Sequence, residues 1–136
     1  MGELRQISIF AENKPGKIER ITKVLADGNI NILAISISSS GDFGVLKFIV
    51  DKPDEALELL IKNGFTVSLN EVLAIELVDK PGDLHRVAVA LLKCGINIEN
   101  AHVFVVNERA QSYLIVEVEN VADAKKRLAN EMLSFY

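Results

Sequence analysis

One stretch of this sequence is written twice. Lys14-Pro15-Gly16 returns as Lys80-Pro81-Gly82, and Ile30-Asn31-Ile32 returns as Ile96-Asn97-Ile98, both 66 positions later. Ile9, Arg20 and Leu25 recur at the same offset as Ile75, Arg86 and Leu91, so 9 of the 24 positions from Ile9 to Ile32 are identical. Unrelated sequences of ordinary composition would share roughly one or two. Further on the offset becomes 68: Leu46, Phe48 and Val50 match Leu114, Val116 and Val118, and Ala56 and Leu60 match Ala124 and Leu128. The two extra residues are expected in a hairpin at 107–110, because exposed turns absorb insertions. A chain built this way folds as two copies of one small unit. The expected domains are residues 1–70 and 71–136.

Within each copy the apolar pattern switches between two periods. Ile7 and Ile9 alternate with Ser8 and Phe10 as in a strand, and then Asn13-Lys14-Pro15-Gly16 interrupts with turn chemistry. Ile18, Ile21 and Leu25 follow at helical spacing, matched by Leu84, Val87 and Leu91. Pro15 is expected at the first helical position, where its missing N–H costs nothing. The two helices are expected to stop near Gly28-Asn29 and Gly95, residues that tolerate a left-handed cap. Two strands come next, one carrying Leu33, Ile35 and Ile37 and the other Leu46, Phe48 and Val50, around a turn at Ser40-Gly41-Asp42. A second helix over about 53–63 closes on Gly64 and leads into a strand at 65–69.

The order β-α-β-β-α-β is the split arrangement of ferredoxin-like folds, an antiparallel sheet with both helices on one face. The expected fold class is therefore α+β, two such units in tandem. Only residues 133–136 follow the last helix of the second copy, so its fourth strand is expected to be short or missing. Residues 65–78 contain no Gly or Pro, so the last strand of the first copy is expected to run almost directly into the first strand of the second. Apolar residues such as Ile49 and Ile115 on the helix-free faces predict further cover there.

Composition removes several function classes. The chain is 49% hydrophobic, which makes a folded core the default. Its 15 Lys and Arg are spread as 8 in residues 1–70 and 7 in residues 71–136, and the net charge is −4. No basic stripe is available to neutralise phosphates, so nucleic acid is not an expected partner. The single Cys94 and two His give no metal-ligand spacing, and neither a metal nor a cofactor is expected. No leader and no apolar run of about 20 residues is present, which predicts a cytoplasmic protein without a membrane partner. Gln6 stands where a myristoylation signal wants Ser or Thr.

Glu12-Asn13-Lys14-Pro15-Gly16, a helix, and then Asn29-Ile30-Asn31-Ile32 resemble the ACT domain signature; Val78-Asp79-Lys80-Pro81-Gly82 followed by Gly95-Ile96-Asn97-Ile98 matches it more closely. ACT domains are regulatory modules of amino-acid metabolism, and many bind a free amino acid at an interface between two domains. The resemblance implies a ligand-binding set of Asn13, Lys14, Pro15, Gly16 and Asn31 in the first copy, with Asp79, Lys80, Pro81, Gly82 and Asn97 in the second. Asn13 and the pair Asn31 and Asn97 stand where serine-sensing ACT domains carry ligand-contacting Asn. The His that helps bind ligand in those domains is replaced by Ala11 and Leu77.

Elementary chemistry agrees with such a site. Free N–H groups and the positive dipole at a helix start favour a carboxylate, and glycine lets a ligand approach the backbone. Asp79 is an acceptor and suits an α-ammonium group, so the two sites need not be equivalent. The implied partners are an amino acid, a second copy of the chain in a homodimer, and a metabolic enzyme.

Other readings compete. Pro-Gly before a helix is often only a turn and cap. An acylphosphatase-like enzyme would need an Arg in the phosphate-cradling turn, whereas Arg20 and Arg86 lie within the helices, so catalysis is not expected. An RNA-binding module would need displayed aromatics in a basic context, which Phe48 and Tyr113 lack. The main alternative is a ligand-independent interaction or regulatory subunit of an amino-acid biosynthetic enzyme.

Overall fold

The computed structural model describes residues 4–106 and 111–136, so the hairpin expected at 107–110 and the chain start at Met1 and Gly2 lie outside the described residues. The chain divides into two compact units, Arg5–Asn70 and one formed mainly by Glu71–Tyr136. No described helix is long and apolar enough to cross a membrane.

The first unit contains β1 (Leu4–Glu12), α1 (Lys17–Asp27), β2 (Ile32–Ser40), β3 (Phe43–Val50), α2 (Pro53–Lys62) and the start of β4 (Thr66–Leu77). Its strands lie in the order β2-β3-β1-β4. Ile7 stands opposite Phe48 and Ile9 opposite Leu46 in an antiparallel ladder. Side chains alternate across a strand, so these four residues share one face. They pack there against Ile21 and Leu25 of α1 and Ala56 and Leu60 of α2. Both helices therefore cover the same side of the sheet, as the period-2 and period-3.6 patterns require.

β4 is unbroken from Thr66 to Leu77, so one strand closes the first unit and opens the second. The second unit continues with α3 (Asp83–Lys93), β5 (Asn100–Val106), β6 (Gln111–Glu117) and α4 (Val121–Arg127). Its core repeats the first: Leu73, Ile75, Leu114 and Val116 against Val87, Leu91, Ala124 and Leu128. Ala101 stands opposite Val116 as Ile35 stands opposite Phe48, which places the change of offset between those two residues. The expected short fourth strand exists as a bridge between Phe135 and Ile75. Two hydrogen bonds flank it: Glu76 N–H donates to Ser134 O at 2.7 Å, and Tyr136 N–H to Ala74 O at 3.0 Å. The Tyr136 ring meets Phe104 and Tyr113 edge-on, at 6.1 and 5.3 Å between centroids. On the helix-free faces Ile49 and Ile115 are fully buried.

Each first helix starts from a left-handed glycine: Gly16 has φ 90° and ψ −7°, Gly82 φ 89° and ψ −10°. These glycines are the N-caps, so Pro15 and Pro81 stand two positions before the first helical residues, Lys17 and Asp83, rather than at them. The left-handed residue must precede the helical run, and proline's fixed φ shapes the turn instead. At the other end Asn29, not Gly28, takes the positive φ, at 57°.

A methyl group at Gly16 or Gly82 would meet nothing within 4 Å, so only the backbone angle demands glycine. Gly16→Ala and Gly82→Ala should each lower unfolding free energy by about 1–2 kcal/mol in urea titrations, through strain alone. Gln6 on β1 is wholly buried, and neither of its amide atoms has a hydrogen-bond partner among the described residues. Gln6→Met keeps the shape and removes the orphaned groups, and should raise stability by about 1–3 kcal/mol in the same titration.

Candidate functional site

The β-α turns of the two units share a backbone and differ in what holds them. In the first unit Asn13 N–H donates to Asp42 O at 2.7 Å and its side-chain Nδ2 to Gly41 O at 3.4 Å, so the turn rests on the β2–β3 connection. Lys14 Nζ lies 2.7 Å from Glu12 Oε2, and this hydrogen bond holds the Glu12 carboxyl below its usual range. Asn13, Lys14, Pro15 and Gly16 are all exposed.

In the second unit a buried carboxylate takes over. Asp83, the first residue of α3, is 3% exposed. Its Oδ2 accepts the Val78 N–H at 2.7 Å, and Arg86 approaches Oδ1 through Nε at 2.9 Å and Oδ2 through Nη2 at 3.3 Å. The Arg86 guanidinium first, and then the Val78 N–H, hold the Asp83 carboxyl below the ordinary carboxylate range. A negative charge in the first turn also compensates the positive end of the helix.

Beside this clamp is a groove of about 300 Å³. Its lining combines the charged pair Asp79 and Lys80 with the aliphatic residues Leu77, Val78, Leu84, Val103 and Val105. Ser112 completes it, with its hydroxyl donating to Leu77 O at 3.1 Å. One acid, one base and an aliphatic wall within this volume can hold a zwitterion by its ammonium, its carboxylate and its side chain. Pro81 and Gly82 set the turn beside the groove and do not line it.

Asn31 and Asn97 lie elsewhere. Glu12, at the turn end of the sheet, pairs with Phe43, whereas Ile32 pairs with Val50. The seven steps between those two partners along β3 span roughly 23 Å. Asn31 N–H donates to Asp51 Oδ1 at 3.0 Å, while Lys52 Nζ reaches Asn29 O at 3.0 Å. Asn97 lines a larger cavity of about 610 Å³ with Glu99, Glu119, Asn120, Asp123 and Arg127. Within one unit the turn and the Asn are therefore at opposite ends of the sheet, and one small molecule cannot touch both.

Sequence reasoning missed Asp83. Its signal was an acid three residues before Arg86 at a helix start, a spacing that puts both on one face. It also missed the apolar wall, because Val103 and Val105 belong to a strand distant in sequence.

A family described as "ACT domain pair" matches residues 2–136. No curated protein matches the sequence significantly. Among solved structures, a protein of Bacteroides thetaiotaomicron shares 33% identity over 98% of this chain and 92% of its own, with a TM-score of 0.89. The regulatory subunit of aspartate kinase from Thermus thermophilus shares 20% identity over 96% of this chain and 93% of its own, with a TM-score of 0.68. The corresponding subunit from Thermus flavus shares 19% identity over 95% and 92%, at 0.60. The last two likenesses are of fold.

The Asp83 clamp is testable through pH. Its carboxyl is depressed in the folded state, so its contribution is present above the unfolded value of about 3.9 and is lost as pH falls through the lower folded value. Asp83→Asn should therefore lower the melting midpoint at pH 7, and the gap to the parent protein should close on acidification below about pH 4.

Proposed function

The chain belongs to the ACT domain pair family, and on that premise we propose that it is a cytoplasmic, non-catalytic sensor that binds a free amino acid and passes the bound state to a partner or to its own assembly. The observation that carries this reading is the groove at Asp79 and Lys80, where opposite charges and an aliphatic wall share about 300 Å³. Asp79 takes the α-ammonium, Lys80 the carboxylate, and Leu84, Val103 and Val105 the side chain. The first unit's turn is committed to its own Glu12–Lys14 pair and to the β2–β3 connection, so the second unit is the stronger binder.

An open groove leaves a ligand half solvated, and a second copy of the chain supplies the lid. Edge strand β2 carries no charged residue and exposes Leu33, Ile35 and Ile37, and edge strand β5 exposes Val103 and Val105. Such edges pair with another strand readily. A second copy also brings an Asn31 or Asn97 corner toward a β-α turn, which no single unit can do. An amino acid at an ACT-ACT interface then favours one arrangement of the domains by its differential affinity, and a partner reads that arrangement.

The second reading is a ligand-independent regulatory subunit of an amino-acid biosynthetic enzyme. What favours it is the same exposed apolar edge, together with a fold shared with regulatory subunits of aspartate kinase.

A thermal-shift screen of the purified chain against the twenty common amino acids at millimolar concentration separates the two. A true ligand present at 100 times its Kd should stabilise by about 2.7 kcal/mol. Asp79→Ala should remove that shift, while Asn13→Ala should leave most of it. Absence of any shift, or a shift indifferent to Asp79, would overturn the sensor reading in favour of the interaction subunit.

A further inference from the structure

The second unit contains a small complex of its own. Arg86 grips the Asp83 carboxylate through two nitrogens. The repeat puts Arg20 at the same helical position of the first unit, but Lys17 stands where Asp83 would be. Arg20 has no carboxylate within ion-pair distance among the described residues. Its Nη2 donates to Asn63 O at 3.2 Å and its guanidinium lies over the Phe65 ring, 4.8 Å from the centroid, leaving most of its N–H donors unspent. Lys17 likewise forms no ion pair among the described residues.

A cavity of about 290 Å³ opens at this corner, lined by Lys17, Arg20, Phe10, Phe43 and Phe65 together with Glu12. Glu12 pairs with Lys14 and also interacts with Lys17, and with Lys14, Lys17 and Arg20 around one carboxylate the local balance stays positive. Phe10 and Phe43 are 58% and 65% exposed. The equivalent residues of the second unit are Glu76, Gln111 and, for Phe65, Leu133, so the aromatic wall belongs to the first unit alone.

We propose that this corner binds a small aromatic or branched organic acid, its carboxylate on Arg20 and Lys17 where the second unit seats Asp83, and its apolar body among Phe10, Phe43 and Phe65. The guanidinium fork suits a carboxylate bidentately, and its stack on Phe65 orients it beforehand. One repeat has internalised the anion that the other leaves to a guest. This site is separate from the groove at Asp79 and Lys80, and neither depends on the other.

Calorimetric titration of the full chain with phenylacetate tests the proposal, with inorganic phosphate and sodium chloride of equal ionic strength as comparisons. Saturable binding of phenylacetate is expected, weakened about tenfold or more in Arg20→Gln. Lys17→Asp installs the second unit's arrangement; it should abolish phenylacetate binding and raise the melting midpoint of the free protein. This variant adds an ion pair rather than removing one, so it decides the matter even if Arg20→Gln fails to fold. No binding to the parent protein, binding matched by phosphate or chloride, or undiminished binding in Lys17→Asp would each overturn the proposal.

Discussion

Two backbone angles organise both units. At Gly16 and Gly82 φ is close to 90°, and the chain turns from the end of a strand directly into a helix that lies back on the same sheet. Without that reversal Ile21 and Leu25, or Val87 and Leu91, could not meet the strand residues they cover, and neither core would close. A left-handed conformation costs an ordinary residue about 1–2 kcal/mol, which is why glycine stands at this point in both copies. The neighbouring Lys-Pro serves the same turn: proline restricts its own φ and the conformation of the residue before it.

Around this shared frame the copies have diverged in charge. The second closes its turn from within, with a buried aspartate bridging the Val78 N–H and Arg86. The first closes it from outside, through Asn13 against the β2–β3 connection and an exposed Lys14–Glu12 pair. A buried carboxylate that accepts three hydrogen bonds holds its geometry far better than an exposed pair, which water and salt screen. Duplication preserved the residues that set backbone direction and freed those that only occupy space at the turn, which is how one fold comes to offer two chemically different corners.

Small domains bury a modest share of their surface, and much of the apolar surface here stays on edge strands and helix flanks. This suits regulation more than catalysis. A sensor needs two arrangements of similar free energy, so that a few contacts from a small ligand can tip the balance.

The repeat, the alternation of strand and helix periods and the turn residues determined the βαββαβ order, both helix faces and the continuous strand joining the copies. These features are local: each follows from which side chains share a face within a few residues. The helix start was misplaced by two positions, because a proline beside a glycine suits either assignment until the backbone angle is known. What the sequence left open was how distant segments meet. Within one unit the asparagine and the turn residues implied for an interface site lie at opposite ends of the sheet, since β2 starts where β1 also starts and the turn lies at the far end of both. The aliphatic wall at Val103 and Val105, the grip of Arg86 on Asp83 and the unmatched Arg20 arise from packing between elements far apart in the chain, and only the folded structure decided which charges would find a partner.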